Sequence, residues 1–139
     1  MRQALREAQA AYDENEVPVG SVVVINNKII SRAHNQVERL KDPTAHAEML
    51  AITAACSYLG AKYLPDAALF VTIEPCHMCA GVLYWSKLKR VVFGASDTKQ
   101  GYRSFFGNKS PFHQKTDVTG GVLAEDCSGL IKRFFRERR

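Results

Sequence analysis

Two short motifs constrain what this chain can fold into more than its composition does: Thr44-Ala-His-Ala-Glu48 and, further along, Glu74-Pro-Cys-His-Met-Cys79. Each falls at the start of a predicted helix. Cys76 and Cys79 stand at i and i+3, so both sulfurs share one helical face and can point at one ion. With His46 from the other helix they make two thiolates and one imidazole. Three protein ligands leave a tetrahedral zinc one position for water, which is the arrangement of a catalytic site and not of a structural one. The fold must therefore bring two helix N-termini to one point. There the unpaired N–H groups and the positive dipole ends favour thiolate over thiol. Zinc would lower the pKa of its water to near neutral, and Glu48, two residues beyond His46, is placed to carry the protons.

Other readings of these residues are less economical. A redox C-x-x-C pair calls for neither His46 nor Glu48. A structural site would need a fourth ligand from His77, His113, Cys56 or Cys127, and none is spaced as in a zinc finger. Cys56 and Cys127 fall in apolar helical patterns and read as small buried residues, while His77 reads as facing away from the metal. Thiolate and imidazole donors favour zinc over iron.

Ala4, Leu5, Ala8, Ala11 and Tyr12 recur at helical spacing, so the chain opens with an amphipathic helix that stops before Pro18. Residues 17–25 and 28–33 are β-prone and flank Asn26-Asn27, a pair that tolerates positive φ, which predicts a hairpin. Asp42-Pro43-Thr44 reads as a helix start, with the helix running to Gly60. Strands are predicted at 67–73 and 90–95, a helix at 76–87 between them, and a last helix from about Leu123 to Arg138. Asp97 to Thr116 reads as one long irregular stretch able to cover a site. Alternating strands and helices predict an α/β layer structure on a mixed sheet, in one domain spanning residues 1–139.

No apolar run approaches the length of a membrane span and no leader opens the chain, so a soluble cytoplasmic protein is expected. The net charge of +5 is concentrated at the end: Lys132, Arg133, Arg136, Arg138 and Arg139 stand against Glu137 alone. Taken alone, that cluster fits a solvated helix end opposing its dipole at least as well as it fits a phosphate backbone.

The H-x-E and P-C-x-x-C pattern resembles the zinc deaminase signature of the cytidine/deoxycytidylate deaminase superfamily. Further stretches resemble the bacterial tRNA adenosine deaminases: Val17-Pro-Val-Gly20, Asp42-Pro-Thr-Ala-His-Ala-Glu48, Val71-Thr-Ile-Glu-Pro-Cys76, Met78-Cys-Ala-Gly81, Val91-Val-Phe-Gly-Ala95 and Phe134-Phe-Arg136. The resemblance implies a three-layer α/β/α fold with a mixed five-stranded sheet, helices on both faces, one zinc per subunit and a homodimer. It implies that Asn35 hydrogen-bonds a flipped nucleoside and that the N–H of Ala47 polarises the reacting centre. Asp97 and Lys99 would meet the backbone of a tRNA anticodon stem-loop, with Phe134, Phe135, Arg136 and Arg138 packing beside it. Gly101 to Lys115 departs from the pattern, and Tyr84-Trp85 resembles the guanine deaminases.

The expected activity is hydrolytic conversion of a wobble adenosine to inosine in an anticodon loop. A deaminase of free guanine or cytosine is the alternative within the class, and a non-catalytic zinc module that binds RNA is the alternative outside it.

Overall fold

The computed structural model describes residues 1–139. The elements run α1 (Arg2–Asp13), β1 (Gly20–Ile25), β2 (Lys28–His34), α2 (Val37–Leu40), α3 (Ala47–Leu59), β3 (Ala68–Ile73), α4 (His77–Trp85), β4 (Arg90–Ala95), α5 (Tyr102–Phe106), β5 (Asp117–Thr119) and α6 (Ala124–Glu137). One sheet takes the order β2-β1-β3-β4-β5. β1 is antiparallel to both β2 and β3, whereas β3, β4 and β5 are parallel. Helices α1 and α6 pack on one face of it, and α3 covers the other with α4 and α5 beside it. This is the expected three-layer fold with its mixed five-stranded sheet.

Local chemistry accounts for the joints. Asn26 and Asn27 take φ of 51° and 61°, the left-handed pair that a two-residue hairpin loop requires. α3 stops at Gly60, whose φ of 62° is the left-handed cap that glycine adopts without strain. α1 presents Ala4, Ala8 and Ala11, all fully buried, and comes so near β1 that a Cβ on Gly20 would lie 2.0 Å from the Ala4 carbonyl oxygen. The central strands β3 and β4 bury Leu69, Val71, Val91 and Phe93 against Leu83 of α4. Full burial of one such side chain stabilises by about 1.5–3 kcal/mol, so this layer anchors the strand ends from which the site is built.

Three expectations need correction. The helix expected from Asp42 begins at Ala47, because the Asp42 carboxylate accepts the N–H and hydroxyl of Thr44 at 2.8 and 2.7 Å and closes a separate turn. The stretch 97–116 is not wholly irregular. It contains α5 and drives Tyr102 and Phe112 into the core, where their rings meet edge to face at 4.9 Å. Cys127 is buried as expected, but Cys56 is only partly buried, its sulfur facing the Lys62 carbonyl.

Candidate active site

The crossovers of this sheet place two helix starts over the same strand ends. His46 is the N-cap of α3 and Cys76 the N-cap of α4, both with extended backbone and neither with a side-chain cap. Their first-turn N–H groups are free to favour negative charge between them. His46 Nδ1 lies 3.7 Å from Cys76 Sγ and 3.5 Å from Cys79 Sγ, and the three ligand atoms are all within 4.8 Å of one another.

That spacing tests the fit to zinc. Bonds of about 2.3 Å to sulfur and about 2.0 Å to nitrogen, at a tetrahedral angle, separate the two donors by about 3.5 Å. His46 Nδ1 already stands at about that separation from both sulfurs. No fourth His, Cys, Asp or Glu joins the group. His77 instead stacks flat on Phe105, with ring centroids 4.6 Å apart and planes 15° from parallel.

The two sulfurs share one negative charge. The Cys79 thiol, hydrogen-bonded to Cys76, holds the Cys76 sulfur as a thiolate with its pKa lowered to about 3, helped by His46. Cys79 is correspondingly pushed up by that same bond and by burial. The pairing with Cys76 also raises His46. A divalent cation would take over the role of these shared protons, so binding releases them.

Glu48 sits in the first turn of α3 at 3% exposure. Burial raises its carboxyl pKa to about 7, against the usual value of 4.5. A carboxyl poised near neutrality both takes and gives protons readily.

The pocket in front of this cluster has a volume near 350 Å³, within the range that takes a small ligand. Its walls include Val19, Asn35, Ala47, Ile73 and Asp97, so three of the expected binding residues line the pocket that holds the metal group. Asn35 is buried, its amide donating to the Val17 carbonyl at 3.3 Å and its oxygen accepting the Val37 N–H at 3.4 Å. Glu16, 1% exposed, also lines the pocket. Its carboxylate accepts the N–H groups of Glu38 and Arg39 at 3.1 and 2.6 Å, which fixes α2 as a wall.

A second, larger groove of about 860 Å³ adjoins the pocket, sharing Val17, Ile73, Asp97 and Gln100 with it. Along it stand Lys99, Lys132, Phe135, Arg136 and Arg139. The structure thus brings Asp97, Lys99, Phe135 and Arg136 to one surface that continues from the pocket. Asp97 is engaged there, its Oδ1 accepting the N–H groups of Lys99 and Gln100 at 3.0 and 2.9 Å.

Phe134 and Arg138 do not line this groove. Phe134 is buried at 4% exposure and packs edge to face on Tyr12, so it offers no open face to a base. The Arg138 guanidinium lies 3.5 Å over the Phe134 ring and donates to Asn15 Oδ1 at 2.8 Å. Lys132 and Arg139 take their place in the groove. The signal for them was a helical stripe: Lys132, Arg136 and Arg139 recur at i, i+4 and i+7.

The family model for the cytidine and deoxycytidylate deaminase zinc-binding region matches residues 1–95, which hold the whole metal group. A tRNA-specific adenosine deaminase of Aquifex aeolicus is 54% identical over all of this chain and 93% of its own length. That of Bacillus subtilis is 46% identical over all of this chain and 88% of its own. The chain belongs to this deaminase family, in the group of the tRNA-specific adenosine deaminases. A solved structure from studies of A-to-I editing by tRNA:A34 deaminases at the wobble position of transfer RNA superposes with a TM-score of 0.87 at 38% identity. That likeness covers 94% of this chain and 96% of the other, so this deaminase shares the family's fold from α1 to α6. It is a zinc-dependent hydrolytic deaminase by family and by donor set.

Proposed function

We propose that this deaminase converts the wobble adenosine of a tRNA anticodon loop to inosine, releasing ammonia. The observation that carries this reading is the junction of a small buried pocket with a cationic groove at Asp97 and Gln100. The pocket has room for one base. The groove beside it offers Lys99, Lys132, Arg136 and Arg139 to a phosphate backbone and the exposed ring of Phe135 to an unpaired base. A free base would have no use for the groove.

His46, Cys76 and Cys79 hold the zinc, which when bound supplies Lewis-acid activation of water for attack on C6 of the base. The residues of the chain do the rest. Asn35 and the Ala47 N–H hold the flipped nucleoside in the pocket. Glu48 takes one proton from the attacking water and passes it to ring N1, then takes the second from the hydroxyl now on C6 and delivers it to the amine as the C6–N bond breaks, leaving the carbonyl of inosine and ammonia. Flipping costs a few kcal/mol, least from an unpaired loop, and binding along the groove offsets it.

All five strands belong to one sheet, and α1, α3 and α6 pack directly on it, which supports a single deaminase domain. A homodimer in the cytoplasm completes the reading. Trp85, 68% exposed, and Tyr63, 42% exposed, line one open groove with Ile52, Met78 and Val82, an apolar surface suited to a second copy. No helix is long and apolar enough to cross a membrane.

The test is ammonia release by the zinc-loaded protein on an adenosine-bearing anticodon stem-loop, guanine, cytosine, cytidine and free adenosine. Inosine in the stem-loop and little turnover of the others is the expected result. Turnover of guanine or cytosine with an inert stem-loop would overturn the substrate while leaving the deaminase chemistry in place.

A further inference from the structure

Arg103 takes no part in the chemistry, yet it is bonded at close range to a residue two positions before the first cysteine of the zinc motif. Its Nη2 and Nε lie 2.6 and 2.9 Å from Glu74 Oε1, and its backbone N–H donates to Glu74 Oε2 at 3.1 Å. Nη2 also donates to Ser96 Oγ at 2.8 Å, and the guanidinium stands 5.2 Å over the Phe93 ring. Glu74 is 3% exposed and lines the base pocket. Its Oε1 faces the Asp97 N–H as well, at 3.4 Å. One buried carboxylate therefore grips both ends of the turn from Asp97 to Arg103.

The surrounding backbone is fitted to the same arrangement. The Tyr102 N–H donates to the Pro75 carbonyl at 2.8 Å, and Gly101 pairs with Cys76 as an isolated bridge. A Cβ on Gly101 would meet Glu74 Oε2 at 2.0 Å and the Asp97 carbonyl oxygen at 2.5 Å, so a side chain there would force the turn off the carboxylate. This turn carries Asp97 and Gln100, at the junction of pocket and groove, and Lys99, which lines the groove.

We propose that Glu74 and Arg103 are positioning residues for the RNA substrate, holding the 97–103 turn in the register that lets a phosphate backbone in the groove deliver one base to the pocket. The proposal rests on the tRNA reading. It differs from plain stabilisation: removing the partner of a buried carboxylate destabilises whatever the pair does, whereas positioning shows in substrate affinity. Arg103 presents a planar fork to Glu74 and Ser96 together, and lysine would keep the charge while losing the fork.

The experiment compares the zinc-loaded full chain with Arg103→Ala and Arg103→Lys. It measures kcat and KM on the anticodon stem-loop, zinc content, Tm, and amide hydrogen exchange at Asp97 and Arg103. In Arg103→Ala, KM rises about tenfold with the smaller share of the loss in kcat, as expected when misplacement and not chemistry is at fault. Zinc stays bound, and the two amides exchange at least about tenfold faster. Arg103→Lys recovers a large part of KM. A lowered Tm with unchanged KM, or a KM change with protected amides, would overturn the proposal. A wild-type protein inert on the stem-loop would instead sink the substrate reading, and the exchange rates would then decide on their own whether the pair holds the turn.

Discussion

In the pocket, each functional group is fixed by the backbone that carries it: His46 and Cys76 cap two helices, and Glu48 and Asn35 are buried at the first turn of α3 and just after β2. In the groove, Lys99, Lys132, Arg136 and Arg139 are exposed, carried by a surface turn, by the last turns of α6 and by the residue beyond its C-cap. The two also differ in sign. Glu16, Glu38, Glu48, Glu74 and Asp97 line the pocket, and four cations line the groove. Buried, pre-ordered groups set the height of a chemical barrier, because they need no reorganisation as charge develops. Exposed cations set affinity and are weakened by salt. Rate and affinity should therefore separate by region.

The largest effect is expected from the metal group. Cys76→Ala removes one of two thiolates, so zinc retention and deamination should both fall to background by metal analysis and ammonia release, and chelation of the wild type should do the same. Glu48→Gln should come next. It keeps zinc and RNA binding and lowers kcat by about 10³-fold, within the range for lost general acid–base catalysis. The same substitution isolates the effect of burial. A carboxyl with its pKa raised from 4.5 to about 7 favours folding in its protonated form, so that contribution is present below pH 4.5 and is lost as pH rises through about 7. Denaturant titration of the zinc-free protein should show wild type losing stability over that window, on the order of 3 kcal/mol, and Glu48→Gln not doing so.

Groove variants should act more mildly and elsewhere. Lys132→Ala with Arg136→Ala should raise KM about thirtyfold in low salt and reduce the slope of log KM against log salt by about 2, one for each phosphate left without its cation. An unchanged slope would remove these cations from the RNA path. Phe135→Ala should cost about 1 kcal/mol of stem-loop affinity, the low end for a stacked base, because the ring is already half covered at 48% exposure.

The two regions were also unequally legible in the sequence. The pocket depends on short-range spacing, so His46, Glu48, Cys76 and Cys79 could be assigned from i, i+2 and i+3 relations once each helix start was located. The groove depends on which way α6 faces. Phe134 and Phe135 are adjacent, and a helix turns about 100° per residue, so one is buried against Tyr12 while the other meets solvent. The Cys127, Leu130 and Phe134 stripe carried that information, which the local likeness of Phe134-Phe-Arg136 to a known ending obscured. β5 spans only Asp117–Thr119 and α5 only Tyr102–Phe106, too short for either periodicity to register. The Glu74–Arg103 pair joins residues 29 apart through a turn that reads as polar and glycine-bearing, and nothing local announces it.

The most direct test of this division is to measure kcat and KM side by side on the anticodon stem-loop for wild type, Glu48→Gln and the Lys132/Arg136 double variant, across a series of salt concentrations. Glu48→Gln should lose kcat with KM and its salt slope retained, while the double variant should lose most of its efficiency in KM with a shallower slope. Losses falling on the same constant in both variants would mean that pocket and groove do not divide rate from affinity.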